Sequence, residues 1–418
     1  MSNVSRVSKN TFMLYLIAVV KLILPLLTMP YLTRVLSEQA YGLVSYVKNC
    51  MTYMTLIIDF GFILSSVKDI VNADGNLEKI GEIAGNTFFA KFLLSLVAFA
   101  VLIIMIFAVP ILKVNVLFVM LSFVAVAVSL FLADFLFRGI EKMEHITTIF
   151  LISKSITTAL TFIFVKGDSS ILWVPILDII GNTVAVVITL IIIRKLNIKL
   201  KMTGFKDCFA MIKDSFIYFL SNISATAFTA FNAFIIGIYF TDLTEVAHWS
   251  LCLNIISAIQ GLYAPICNGV YPHMIKEKSL SFIHKLLAIF MPVVIIGCIL
   301  CFVLAKQALF LLGGEKYVEA YTLFRWMIPI LFFSFPVQIY GWPTLGAIGK
   351  QKQNTITLII AAIAQVLGIF LLIFIKQFNL ISLAILRWST ELIMLIARVL
   401  VVYKNKKYFV SKKNKSNI

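Results

Sequence analysis

Residues 87–109 read TFFAKFLLSLVAFAVLIIMIFAV, a stretch with one charge, Lys91. A helix of about 20 mostly apolar residues spans the hydrocarbon core of a bilayer. The stretch is long enough, and it predicts a transmembrane helix. Working outward, runs of the same kind fall at 12–33, 43–67, 116–137, 147–165 and 171–193. A polar, basic stretch follows at 194–215, and six more runs fall at 216–240, 247–269, 286–305, 323–346, 354–375 and 380–403. The reading is therefore an all-α membrane protein of about twelve transmembrane helices, six on each side of a break. The weakest runs are 247–269, which holds Asn254, Gln260 and Pro265, and 147–165, which holds Lys154.

Composition agrees. The 418 residues are 61% hydrophobic and 13% charged, with mean hydropathy +1.01. Soluble domains carry about 25% charged residues. A water-facing surface cannot be covered from this supply, which excludes a soluble enzyme, a nucleic-acid-binding domain and a disordered chain. The six cysteines lie mostly in or beside apolar runs, so no disulfide framework is expected. Cys298 and Cys301 form a CxxC without a second pair or a histidine cluster, so no metal site is read from them. The first run is too long for a signal-peptide core and contains Lys21.

The net charge of +17 reflects topology. An even number of spans places both termini on one side. If that side is cytoplasmic, the loops facing it carry 23 Lys and Arg. The opposite loops carry six: Arg34, Lys113, Lys166, Lys306, Lys316 and Lys376. The positive-inside rule then puts both termini in the cytoplasm, with a lysine-rich tail from Lys404 to Lys415. Two domains are expected: an N-terminal six-helix bundle over 1–200 and a C-terminal one over 201–418 that ends in this tail. Short echoes support a repeat. Lys9-Asn10-Thr11-Phe12 recurs as Lys213-Asp214-Ser215-Phe216, and Leu36-Ser37-Glu38-Gln39-Ala40 as Leu243-Thr244-Glu245-Val246-Ala247. Six-helix halves of like orientation are a known transporter plan, with the path between them.

The spans hold seven basic residues (Lys21, Lys48, Lys91, Lys154, Arg325, Arg387 and Arg398) against four acids (Asp59, Asp134, Asp178 and Glu391). Each charge at a helix centre costs about 2.5–3.5 kcal/mol on insertion scales, so these groups must snorkel, pair or face a wet cavity. Lys91 and Arg325 lie near the ends of their runs and read as snorkelling. Asp134 reads as an i, i+4 partner of Arg138. Lys48 and Asp59 are eleven residues apart, which puts them on one helix face about 16 Å apart. Arg387, Glu391 and Arg398 form one stripe, in which Glu391 can bond Arg387 and leave Arg398 free. The surplus of cations points to an anionic substrate, with Lys21, Lys48, Arg387 and Arg398 as binding candidates. Asp59, Asp178 and Glu391 are candidate ion-coupling sites. Prolines at 25, 30, 265, 292, 329, 336 and 343 favour kinked helices.

The stretch Pro25-Leu26-Leu27-Thr28-Met29-Pro30-Tyr31-Leu32-Thr33-Arg34-Val35-Leu36, followed by Tyr41-Gly42, resembles the first helix and loop of Wzx-type O-antigen flippases. These belong to the multidrug/oligosaccharidyl-lipid/polysaccharide (MOP) exporter superfamily. Leu345-Gly346-Ala347-Ile348-Gly349-Lys350, and Gly314-Glu315-Lys316-Tyr317 with Ala320, also look like this family. Ser37 stands where the family often has glycine. The resemblance implies a MATE-like fold of two six-helix bundles in a bacterial inner membrane. The implied activity is translocation of undecaprenyl-pyrophosphate-linked oligosaccharide units for O-antigen or another surface polysaccharide. It implies membrane lipids, a polysaccharide polymerase and a chain-length regulator as partners, and no nucleic acid. Arg34 matches the motif and is the first substrate contact it suggests; a solvated loop charge is the alternative.

Two other activities are weighed. A cation-coupled multidrug antiporter of the same superfamily would prefer an acidic cavity. A polysaccharide polymerase needs catalytic residues in sizeable outer loops, whereas the outer loops here are short. No P-loop, HExxH or GxSxG serves chemistry, so neither an enzyme nor a cofactor is expected.

Overall fold

In the computed structural model, which describes residues 24, 27–240 and 242–409 (side chains at 221 and 224–230 excepted), the chain is helical almost throughout. A helix over 27–35 (α1) precedes α2 (Glu38–Asp59), α3 (Phe62–Asn72), α4 (Leu77–Ala108), α5 (Val116–Ser129), α6 (Asp134–Gly139), α7 (Met143–Phe164), α8 (Trp173–Lys195) and α9 (Phe205–Tyr239). Then follow α10 (Leu243–Gly261), α11 (Tyr263–Glu277), α12 (Leu280–Val303), α13 (Ala305–Gly313), α14 (Tyr321–Met327), α15 (Pro329–Ile339), α16 (Gln351–Phe374) and α17 (Leu380–Lys404). Among the described residues nine helical stretches are long and apolar enough to cross a membrane. A tenth, Glu315–Met327 with Pro329–Gly346, is bent by 44°. These ten coincide with ten of the runs read from the sequence. The run at 216–240 falls within α9, and that at 12–33, with Lys21, lies largely outside the described residues.

The chain divides into two compact units. One holds the described residues up to Thr226 together with Ala233–Ala247; the other holds Ala227–Asn232 and the chain from His248 on. In the first unit α8 packs on α5 and α7, α2 on α4, and α3 on α6. Its core gathers Ile80, Ala84, Phe88, Phe135, Leu136 and Ile146. The basic stretch after α8 is tied into this unit. Lys201 N donates to the Gly81 carbonyl (3.2 Å), and Asn86 exchanges two hydrogen bonds with Thr203. The Lys201 ammonium meets Glu82 at 3.0 Å, and that hydrogen bond holds its pKa above the ordinary lysine value. In the second unit α17 packs on α14, α15 and α16, over a core that includes Tyr263, Met274, Ile283, Phe335 and Ile339.

Helix boundaries differ from the apolar runs where polar residues extend a helix. The run at 87–109 belongs to a helix that already begins at Leu77. Asn76 caps it by accepting from Glu78 N (3.0 Å) and Lys79 N (3.1 Å). Lys91 is therefore well inside the helix, not at its end. The run at 247–269 continues to Glu277 and accommodates Pro272. The echoed stretches at 36–40 and 243–247 both open a helix. Ser37 Oγ accepts from Ala40 N (3.1 Å), and Asp242 Oδ1 accepts from Thr244 N (2.9 Å). The start signals of α2 and α10 thus account for part of the echo.

Several spans are broken, and two of the breaks lie beside charged residues. Between α2 and α3, Phe60 (φ 41) and Gly61 (φ 84) both adopt the left-handed region. Gly61 is required there twice over. Its φ is strained for other residues, and a Cβ would come within 2.6 Å of Tyr218 Cβ. Phe60 stacks on Phe219 with centroids 4.4 Å apart. The second break is the turn Tyr340–Gly346, where Gly341 leaves helical geometry (ψ −116). Pro336 before the turn and Pro343 within it are among the prolines read as kinking residues.

Candidate functional site

Most of the described charged side chains within the spans sort into pairs, a brace and an exposed cation. In the first unit, α2 carries Lys48 and Asp59, and the two have different surroundings. Asp59 pairs with Lys91 of α4 at 2.8 Å. The carboxylate is half exposed (49%), whereas the lysine is buried (8%), its ammonium 5.5 Å from the Phe135 ring. Burying an ammonium requires a partner, and Asp59 supplies it. The expected snorkelling of Lys91 is thus replaced by an ion pair. Lys154 on α7 and Asp178 on α8 pair at 3.5 Å, both partly exposed. Lys48 is exposed, and no described carboxylate lies within ion-pair distance of it.

Arg34 closes α1 and is exposed. The chain on either side of it is fixed to the loop that follows α7. Tyr31 Oη donates to the carbonyls of Val165 (2.7 Å) and Phe162 (3.1 Å), and Ser37 N donates to Asp168 Oδ1 (2.8 Å). The corner presenting Arg34 is therefore anchored at both ends.

In the second unit the stripe on α17 is buried. Arg387 Nη1 meets Glu391 Oε1 at 3.0 Å, the i, i+4 pair expected from spacing. Both are almost fully enclosed, and Glu391 Oε2 has no hydrogen-bond partner among the described residues. Beside the pair runs a neutral relay. Thr390 Oγ1 donates to Gln365 Oε1 (2.7 Å), and Gln365 Nε2 donates to Asn232 Oδ1 (2.7 Å). It joins α17, α16 and α9. Sequence reading passed over Asn232, Gln365 and Thr390 because it counted charges. The available signal was an amide in an otherwise apolar run.

Arg398 is not left free. It is buried, its Nη1 donates to the Val337 carbonyl, and its Nε donates to Thr357 Oγ1 (3.3 Å). The Val337 carbonyl also accepts from Tyr340 N at the end of α15, so Arg398 is its second donor, set beside the break at Gly341. Thr344 Oγ1 likewise takes the Ile339 carbonyl at 2.7 Å. Backbone carbonyls inside a membrane lack water as a donor, and side-chain donors at a break add to what the backbone supplies. The charge of Arg398 thus braces the break in the span.

Comparison with known proteins places the chain. A family model described as "Polysaccharide biosynthesis protein" matches residues 7–278. A provisionally named O-antigen transporter of Shigella dysenteriae is 27% identical over 373 residues, covering 88% of this chain and 93% of that protein. One from Escherichia coli (strain K12) is 26% identical over 421 residues, covering 97% and 99%. Among solved structures, the lipid II flippase MurJ in an inward closed conformation aligns with TM-score 0.73 at 16% identity, over 94% of this chain and 87% of that one. An inward-facing multidrug resistance MATE family transporter of the MOP superfamily aligns with TM-score 0.64 at 14% identity, over 92% and 99%. The structural likenesses show a shared helical fold. With the spans and the sequence relatives, they make the chain a multi-pass protein of the bacterial inner membrane.

Proposed function

Because the chain belongs to the polysaccharide biosynthesis protein family, we propose that it is a Wzx-type flippase. Its cargo is an undecaprenyl-pyrophosphate-linked oligosaccharide repeat unit, moved across the inner membrane for O-antigen or another surface polysaccharide. Twelve spans in two parallel six-helix bundles, 1–200 and 201–418, with both termini cytoplasmic, rock in alternating access around a cationic path. The protein is a transporter and catalyses no covalent step.

One observation carries the reading. Each acid named for ion coupling is already held by a cation: Asp59 by Lys91, Asp178 by Lys154 and Glu391 by Arg387. The pairs cancel; of the other described span cations, Arg398 is the brace, and Lys48 and Arg325 have no carboxylate partner, Lys48 being exposed. That balance suits a pyrophosphate and opposes an organic cation, so it favours the flippase over a multidrug antiporter. Arg34, Lys48 and Lys21 contact the headgroup; Arg387 and Arg398 act from within the second unit. Any coupling to an ion runs through opening of an acid–cation pair, and Glu391, with one free oxygen, is the foremost candidate. The polymerase and chain-length regulator act on the delivered unit.

The deciding experiment is deletion in the native host with analysis of surface glycan and lipid-linked intermediates. The expected result is loss of surface glycan, including single capped units, with lipid-linked units retained inside. Single units still reaching the surface would show that export is intact and make the chain a polymerase. Unchanged glycan with altered drug sensitivity would make it an antiporter.

A further inference from the structure

A second cluster of positive charge lies apart from the residues above. The bend between α12 and α13, at Leu304, exposes the Phe302 carbonyl, and Arg325 of α14 donates to it through Nε at 3.0 Å. The guanidinium lies 4.5 Å from the Phe302 ring and 5.2 Å from the Tyr321 ring. From α13, Lys306 reaches the same tyrosine at 4.6 Å. Two cations thus share one aromatic ring, and no described carboxylate forms an ion pair with either. Arg325 uses Nε internally and keeps both Nη groups for another acceptor. Two cations within 5.2 Å of one ring centroid repel, and an anion within reach of both turns the repulsion into attraction. This occurs on the side of the membrane whose loops hold six basic residues, where topology alone gives no reason to gather them.

The surroundings identify the anion's carrier. Val303, Leu304, Phe310, Leu311 and Trp326 are all exposed beside the cluster. The neighbouring α12 exposes a broad apolar face that includes Ile289, Val293, Ile296 and Leu300. Cations rimmed by exposed aliphatic and aromatic side chains, with a tryptophan at the boundary, match a headgroup above its acyl chains. We propose that Lys306, Arg325 and Tyr321 form a binding site for the phosphate headgroup of an anionic phospholipid in the leaflet that this end of the protein meets. The site is independent of the transported cargo.

The test uses the full-length protein reconstituted in vesicles of equal phosphatidylglycerol and phosphatidylcholine, followed by native mass spectrometry of the lipids it retains. Wild type is expected to retain phosphatidylglycerol preferentially. Lys306→Gln should lower the preference about fivefold, and Lys306→Gln with Arg325→Gln should lower it further. The single variant leaves the Arg325–Phe302 bond in place, so it reads binding even where the double variant folds poorly. Lys113→Gln, at an exposed basic residue outside the cluster, should leave the preference unchanged. An unchanged preference in Lys306→Gln overturns the proposal, as does an equal fall in Lys113→Gln, which would show diffuse attraction only. Displacement of the lipid by millimolar inorganic phosphate would show a site for a free anion and overturn the lipid assignment. Glycan export is not part of the readout, so the result stands apart from the flippase reading.

Discussion

Lys48 and Arg398 both read as basic residues within spans, and the folded chain uses them in opposite ways. Lys48 is exposed without a carboxylate, while Arg398 spends its donors on Val337 and Thr357. Lys48→Ala should therefore leave folding intact and lower transport of the lipid-linked unit about tenfold or more, the scale of losing one hydrogen bond to a charged group. Lys48→Arg should keep most of it, as measured by surface glycan at matched expression. Full transport by Lys48→Ala would remove this residue from the path. Arg387 tests the other regime. Arg387→Met leaves Glu391 buried and unpaired, and should cost about 3–5 kcal/mol of stability. Adding Glu391→Gln should recover most of that loss, because the isolated charge is what is costly. Thermal unfolding of the detergent-solubilised protein reads both. If the second substitution recovers nothing, the pair contributes through packing and not through charge. The sequence made this pair legible by spacing, since i, i+4 on a helix is a geometric necessity. It could not show that Lys91 pairs with Asp59, because that contact joins two helices and depends on how α2 packs on α4.

At the scale of elements, the informative features are the breaks. The break at Tyr340–Gly346 is announced by Pro336 and Pro343, whose rings and missing donors are written in the sequence. The one at Phe60–Gly61 has no proline, only Gly61 within the apolar run, and it is there that α9 approaches. Arg398 packs against the Gly341 break. A Cβ on Gly341 would come within 2.5 Å of Arg398 Nη1. Gly341→Ala should displace the guanidinium and break its charged hydrogen bond to the Val337 carbonyl, costing about 1–3 kcal/mol. Arg398→Met removes the same donor and should cost a similar amount. Because both act on one carbonyl, the double variant should lose little more than the worse single one. Summed losses in chemical denaturation would show that Gly341 matters for a reason other than the brace.

For the whole molecule, membrane class and most spans were legible because a bilayer admits few solutions. A backbone in hydrocarbon must satisfy its own hydrogen bonds, and about 20 apolar residues in a helix achieve that. Helix ends were less legible, since α4 and α11 run on into polar residues held by caps and loop contacts. The sidedness of the chain rests on charge: 23 basic residues in one set of loops against six in the other. This yields a prediction for the intact protein. With both termini cytoplasmic, a cysteine at Tyr408 beside α17 should react with a membrane-impermeant thiol reagent only after the cells are opened. One at Ser169, between α7 and α8, should react in intact cells. The native cysteines are buried or partly covered, so each can be changed to serine or alanine to give a clean background. Reaction at both sites in intact cells would mean an even number of spans between them. Segments 12–33 and 216–240 bear on this differently. The second lies between Ser169 and Tyr408, so the comparison tests whether α9 crosses. The first does not, and a third cysteine at Ser5 decides it. Protection of Ser5 together with Tyr408 requires an even total. Labelling of Ser5 alongside Ser169 would leave 12–33 on one side of the membrane and remove the parallel relation of the two halves on which alternating access depends.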